Sequence, residues 1–117
     1  MDAVKEAGLY ENSIIAIYGD HFGLGIKDEN NEELMTDFLG KPYCFDEMAN
    51  VPLIIHIPGE IINERVSIAG GQLDFMPTMA YLMGFENLDT VYLGQNLIKA
   101  EEGFVAQNRY APLGSFI

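Results

Sequence analysis

Apolar residues gather in three blocks along the chain, and their spacing differs from block to block. Ser13 to Tyr18 reads S-I-I-A-I-Y, an unbroken apolar run rich in β-branched side chains. Such a run predicts a strand covered on both faces, and hence a place inside a parallel sheet. Val51 to Ile57, V-P-L-I-I-H-I, predicts a second strand of the same kind. Pro52 falls at its start, where a missing N–H costs least, and Pro58-Gly59 ends it with a turn. The third block changes period. Phe75, Met79, Leu82 and Met83 recur at helical spacing and predict a helix over 75–83. Asp74 stands where an N-cap belongs, Pro77 falls in the first turn, and Gly84 lies just past the end.

Weaker patterns fill the intervals. Residues 2–8 read as the tail of a helix, with Val4 and Ala7 on one face and Gly8 as the stop. Its abrupt start leads to the expectation that further sequence precedes it. Residues 27–31 are a polar loop. Glu32 to Leu39 is a short helix, with Leu34, Phe38 and Leu39 expected inward and Gly40 ending it. Residues 42–50 read as irregular, 92–97 as a loop or turn, and 105–117 as a final edge strand.

Composition places these elements in a globular protein. The chain has 117 residues, 49% hydrophobic and 21% charged, within the ordinary range for one folded domain. Its net charge of −12, from 18 acidic and 6 basic residues, argues against a nucleic-acid partner, since phosphates call for Lys and Arg. It equally argues against docking on anionic lipid through a basic patch. Cys44 is the single cysteine, so no internal disulfide forms. Residues 1–6 lack the basic start and apolar run of a signal peptide, and no apolar stretch approaches the ~20 residues that span a bilayer.

Chemistry is concentrated at one point. Asp20-His21 follows directly on the first strand, at the end where open α/β sheets bind ligands. A carboxylate beside an imidazole suits Zn²⁺, Mn²⁺ or Mg²⁺. Within a strand, neighbours point to opposite faces, but a turn flanked by Gly19 and Gly23 lets both reach one ion. Two ligands make an incomplete site, and Asp28, Glu29, Asp46 and Glu47 are the local acids that could add to it. His56, between two isoleucines, reads as a hydrogen-bonded strand histidine. Thr78 reads as a packing or capping residue. Cys44 has no neighbouring base, and Met76, Met79 and Met83 read as core. No glycine-rich phosphate loop is present.

Four stretches, in order, resemble one family. Gly8 to Gly23, G-L-Y-E-N-S-I-I-A-I-Y-G-D-H-F-G, resembles the segment leading into the metal-binding Asp-His of sulfatase-type enzymes of the alkaline phosphatase superfamily. Asn50 to Gly59 resembles their V-P-strand-P-G segment. Gly71 to Thr78, with Leu82 and Gly84, resembles their D-x-x-P-T…L-x-G helix, and Leu93 to Leu97 the following G-x-x-L loop. His56 and the Tyr18-Gly19-Asp20-His21 wording are similar to the branch of lipoteichoic acid synthase-like phosphoglycerol transferases. One position departs from it: the synthases carry a substrate-contacting serine where this chain has Gly25.

The resemblance implies an α/β fold, the C-terminal portion of a sulfatase-like domain over 1–117. Its central sheet is expected to be mostly parallel, flanked by helices, with short C-terminal strands. Asp20 and His21 are then two ligands of a catalytic divalent ion, Mn²⁺ foremost, with Mg²⁺, Ca²⁺ and Zn²⁺ as alternatives. The nucleophilic threonine, a further acidic ligand, the substrate-binding residues and the membrane helices are expected upstream, so no catalytic nucleophile is assigned among these residues. The implied substrate is a glycerophospholipid or another phosphate or sulfate ester. The implied location of the whole enzyme is the outer face of a bacterial cytoplasmic membrane. Exposed strand edges lead to the expectation of homo-oligomers. Two alternatives stay open: a sulfatase or phosphodiesterase of the same superfamily, and a non-catalytic interaction domain.

Overall fold

The computed structural model describes residues 1–85, 90–107, 112 and 114–116. The chain divides into two compact units, Met1–Ile62 and Asn63–Ile117.

In the first unit, helix α1 (Asp2–Glu6) and a 3₁₀ turn (Tyr10–Asn12) lead into strand β1 (Ile15–Tyr18). Helices α2 (Glu29–Leu39) and α3 (Phe45–Ala49) follow, and strand β2 (Leu53–His56) returns beside β1. The α/β class is as expected, and both strands fall inside the two apolar blocks. Their direction is a correction: β1 and β2 pair antiparallel, with Ile15 opposite His56 and Tyr18 opposite Leu53. A continuous apolar run reports apolar surroundings, not the direction in which the neighbouring strand runs. Nor are the strands covered on both faces. Ile17 and Ile54 face each other across the ladder and are 51% and 58% exposed.

Helix α2 begins earlier than the pattern predicts. The Asp28 carboxylate accepts the Asn30 amide at 3.0 Å and caps the helix, drawing 29–31 into its first turn. Its inward residues also differ from the expected ones. Leu34 and Phe38 are 60% and 81% exposed, whereas Met35 and Thr36 are partly covered. Helix α3 was not anticipated. It supplies the buried Met48, which with the buried Tyr43 makes the dense part of this unit.

The second unit is organised by helix α4 (Phe75–Leu82), preceded by a 3₁₀ turn at Gln72–Asp74. The expected stop holds in detail. Gly84 takes φ +78°, its amide donates to the Tyr81 carbonyl at 3.0 Å, and the Phe85 amide donates to the Ala80 carbonyl at 2.8 Å. That pair of bonds satisfies the last carbonyls through a left-handed residue, for which glycine is the natural choice. Asp74 does not cap α4 with its side chain. Its Oδ2 accepts the Gly71 amide and its Oδ1 the Gln95 amide, each at 2.7 Å. Thr78 packs as expected: buried, it donates to the Asp74 carbonyl at 2.6 Å and accepts the Leu97 amide at 3.0 Å. Met76 and Met83, read as core, are 63% and 54% exposed. Strands β3 (Ala106–Gln107) and β4 (Ser115–Phe116) pair antiparallel. The edge strand expected over 105–117 is thus not one continuous strand: Val105, Pro112 and Gly114 lie outside both strands, and residues 108–111, 113 and 117 lie outside the described residues.

Candidate metal centre

Asp20 and His21 stand where β1 ends and the backbone leaves the ladder. The last ladder contact is the Gly19 amide on the Pro52 carbonyl at 3.1 Å. Both side chains face solvent, His21 76% and Asp20 87% exposed, so an ion and ligands from elsewhere can reach them.

The imidazole is oriented by its own backbone. His21 Nδ1 lies 2.5 Å from the Phe22 carbonyl oxygen. A carbonyl oxygen only accepts, so Nδ1 carries a proton, and in the neutral ring Nε2 is then the nitrogen with the lone pair. That Nε2 lies 3.8 Å from Asp20 Oδ1. The two donors are close enough that one divalent ion could be held by both. The donor chemistry and spacing therefore fit half of a metal site, and the Phe22 carbonyl on the other ring nitrogen is the kind of partner that orients metal-binding histidines.

The loop carrying the pair is tied down on its far side. The Gly23 amide donates to the Met48 carbonyl at 2.8 Å, and the Tyr43 hydroxyl to the Leu24 carbonyl at 2.7 Å. Asn31 Nδ2 donates to the Gly25 carbonyl at 3.2 Å. The Tyr43 backbone is in turn fixed, its amide donating to Thr36 Oγ1 at 3.1 Å. Burial raises the Tyr43 phenol above its ordinary pKa, which keeps the hydroxyl a donor. Gly19 and Gly23 do not supply left-handed turns here. They supply room: a Cβ on Gly23 would lie 2.7 Å from the Tyr43 oxygen, and one on Gly19 2.7 Å from Val51 Cβ.

The other candidates go elsewhere. Among the described residues no group of three or more His, Cys, Asp or Glu gathers to hold an ion. Asp28 caps α2, and Glu47 pairs with Lys41 at 2.7 Å. Glu29 lines a hollow on α2 with Glu32, Glu33, Thr36 and Asp37. Asp46 and Cys44 are exposed at the start of α3. His56 stacks on Tyr10, ring centroids 4.2 Å apart, with its Nδ1 3.4 Å from the Tyr10 hydroxyl. Tyr43 is the site residue that the sequence pattern misses. A tyrosine between Pro42 and Cys44 carries no periodic signal, and its role depends on contacts 7 and 19 residues away.

The family model for sulfatases matches residues 1–85, most of the chain. The chain belongs to the sulfatase family. The chain is also similar to lipoteichoic acid synthases and to a lipoteichoic acid synthase-like protein. It is 40% identical to the lipoteichoic acid synthase-like YvgJ of Bacillus subtilis, over 97% of this chain and 18% of that protein. It is 38% identical to lipoteichoic acid synthase 1 of the same organism, over 84% of this chain and 15% of that protein. It is 36% identical to the lipoteichoic acid synthase of Staphylococcus aureus strain USA300, over 80% of this chain and 14% of that protein. The chain thus spans less than a fifth of the length of these relatives. Among the described residues, no helix is long and apolar enough to cross a membrane.

Proposed function

We propose that this chain supplies two ligands, Asp20 and His21, to the divalent-metal site of a phosphoglycerol transferase. The observation that carries the reading is the orientation of His21. Its Nδ1 proton is held by the Phe22 carbonyl, and its free Nε2 lies 3.8 Å from Asp20 Oδ1 at the end of β1. The names of the relatives favour transfer of glycerophosphate units over sulfate-ester hydrolysis.

The roles of the chain's own residues follow from their chemistry. Asp20 contributes a negative, hard oxygen donor, and His21 a neutral nitrogen donor of fixed tautomer. The anchored loop from Gly23 to Gly25 keeps the two from drifting apart. When bound, a divalent ion, Mn²⁺ in the first instance, lowers the pKa of an attacking hydroxyl and offsets charge on the phosphoryl oxygens. The hydroxyl nucleophile, the further ligands and the lipid site belong to sequence beyond these residues in this reading. So does the placement of the whole enzyme at the outer face of a bacterial membrane.

The test is titration of the 117-residue chain with Mn²⁺, followed by electron paramagnetic resonance of the free ion. Weak binding is expected, since two ligands are half a set. Asp20→Asn and His21→Gln should each abolish it. Binding that survives both substitutions would place the ion elsewhere and end this reading.

A further inference from the structure

Tyr43 lies outside every motif of the family resemblance, yet it is one of the few buried side chains in the first unit. Three bonds converge around it. Its amide is held by Thr36 of α2, its hydroxyl holds the Leu24 carbonyl, and beside it the Gly23 amide is held by Met48 of α3. Residues 23 and 24 are thereby fixed to two helices at once. The Phe22 carbonyl belongs to the peptide unit that ends in the Gly23 amide. The plane of that unit is set by Gly23 bonding to Met48. The same carbonyl holds the Nδ1 proton of His21.

We propose that Tyr43 is a positioning residue for the Asp20-His21 pair, fixing the Gly23-Leu24 backbone that orients the His21 ring. The proposal rests on the metal reading given above for its purpose, but not for its geometry. Leu24 is 44% exposed and its bond to Tyr43 is only partly buried, so removing the hydroxyl opens the carbonyl toward solvent. The loss then falls on the geometry of the loop more than on the stability of the fold. The tight approach of Gly23 makes a second handle. A methyl at residue 23 meets the same oxygen at 2.7 Å and pushes the loop away from it.

The experiment uses the intact 117-residue chain labelled with ¹⁵N. Nitrogen shifts of His21 report its tautomer, and Mn²⁺-induced broadening of its ring protons reports binding. Tyr43→Phe is expected to keep the circular dichroism of the parent chain. It should mix the His21 tautomers and raise the Mn²⁺ midpoint by about tenfold, the scale of outer-shell losses at metal sites. Gly23→Ala should give the same His21 signature, and adding it to Tyr43→Phe should change little more. Unaltered His21 shifts in Tyr43→Phe overturn the proposal, as do fully additive effects of the two substitutions. If Mn²⁺ fails to broaden His21 in the parent chain, the metal reading falls, and the nitrogen shifts still decide the role of Tyr43. If Tyr43→Phe does not fold, the shifts in Gly23→Ala decide it: an unmixed tautomer there overturns the proposal.

Discussion

The buried carboxylate of Asp74 accepts the backbone amide of Gln95 at 2.7 Å, joining the start of α4 to a loop 21 residues further on. The same carboxylate takes the Gly71 amide through its other oxygen. Asp74→Ala removes two charge-assisted bonds and strands both donors. It should cost about 2–4 kcal/mol in urea unfolding. A loss under 1 kcal/mol, on the scale of one ordinary bond, would mean that water replaces the carboxylate.

Thr78 extends this connection with a hydroxyl that both donates to Asp74 and accepts from Leu97. Thr78→Val keeps the volume and strands two backbone groups, at about 1–3 kcal/mol. Thr78→Ser keeps the hydroxyl and should lose less. Because Asp74 and Thr78 hold neighbouring points of one loop, combining Asp74→Ala with Thr78→Val should cost less than the sum. Additivity would show two independent anchors.

His56 Nε2 is buried and has no hydrogen-bond partner among the described residues. An apolar ring of similar shape forfeits only the long 3.4 Å contact of Nδ1 with the Tyr10 hydroxyl, and the stack on Tyr10 survives. His56→Phe should therefore change stability by no more than about 1 kcal/mol. His56→Ala, which loses the stack as well, should be clearly worse. Equal losses in both would assign His56 a polar role.

Tyr43 gives the chain a stability that depends on alkali. Its folded-state pKa is raised by burial, so the folded state holds its proton more tightly than the unfolded state does. The contribution is complete below the unfolded value of about 10 and declines as pH rises through the folded value. Thermal midpoints should fall above about pH 10, less steeply in Tyr43→Phe. Parallel declines in the two proteins would contradict the assignment.

The apolar pair Ile17 and Ile54 lies open to solvent on a chain of net charge −12. Repulsion between copies weakens as the Debye length shrinks from about 10 Å at 0.1 M salt to about 3 Å at 1 M. Sedimentation equilibrium should show association growing with salt, and Ile54→Lys should suppress it. A monomer at every salt concentration would remove the sheet face as a contact.

Elements with a strong local cause were legible in the sequence. The β-branched runs located β1 and β2, and the Gly84 stop and Pro77 located α4. What depended on distant partners was not. The direction of β1 against β2 is settled by the path of the intervening helices, and the exposure of Leu34 and Phe38 by which face of α2 finds cover. Asp20-His21 was visible as a pair, through its place after β1. The Phe22 carbonyl and Tyr43, which give the pair its geometry, leave no periodic trace because their bonds run through backbone carbonyls.

The pairing of β1 with β2 has a consequence for the order of events during folding. Tyr18 and Leu53 meet only when the chain between them has closed on itself, and Asp20 and His21 lie inside that closure. Closing such a loop carries an entropic cost that the short strand cannot recover alone. The loop that carries Asp20 and His21 therefore gains its anchor on Met48 only after α3 has been made. The arrangement of the loop around Asp20 and His21 is thus completed only after β2 has been made.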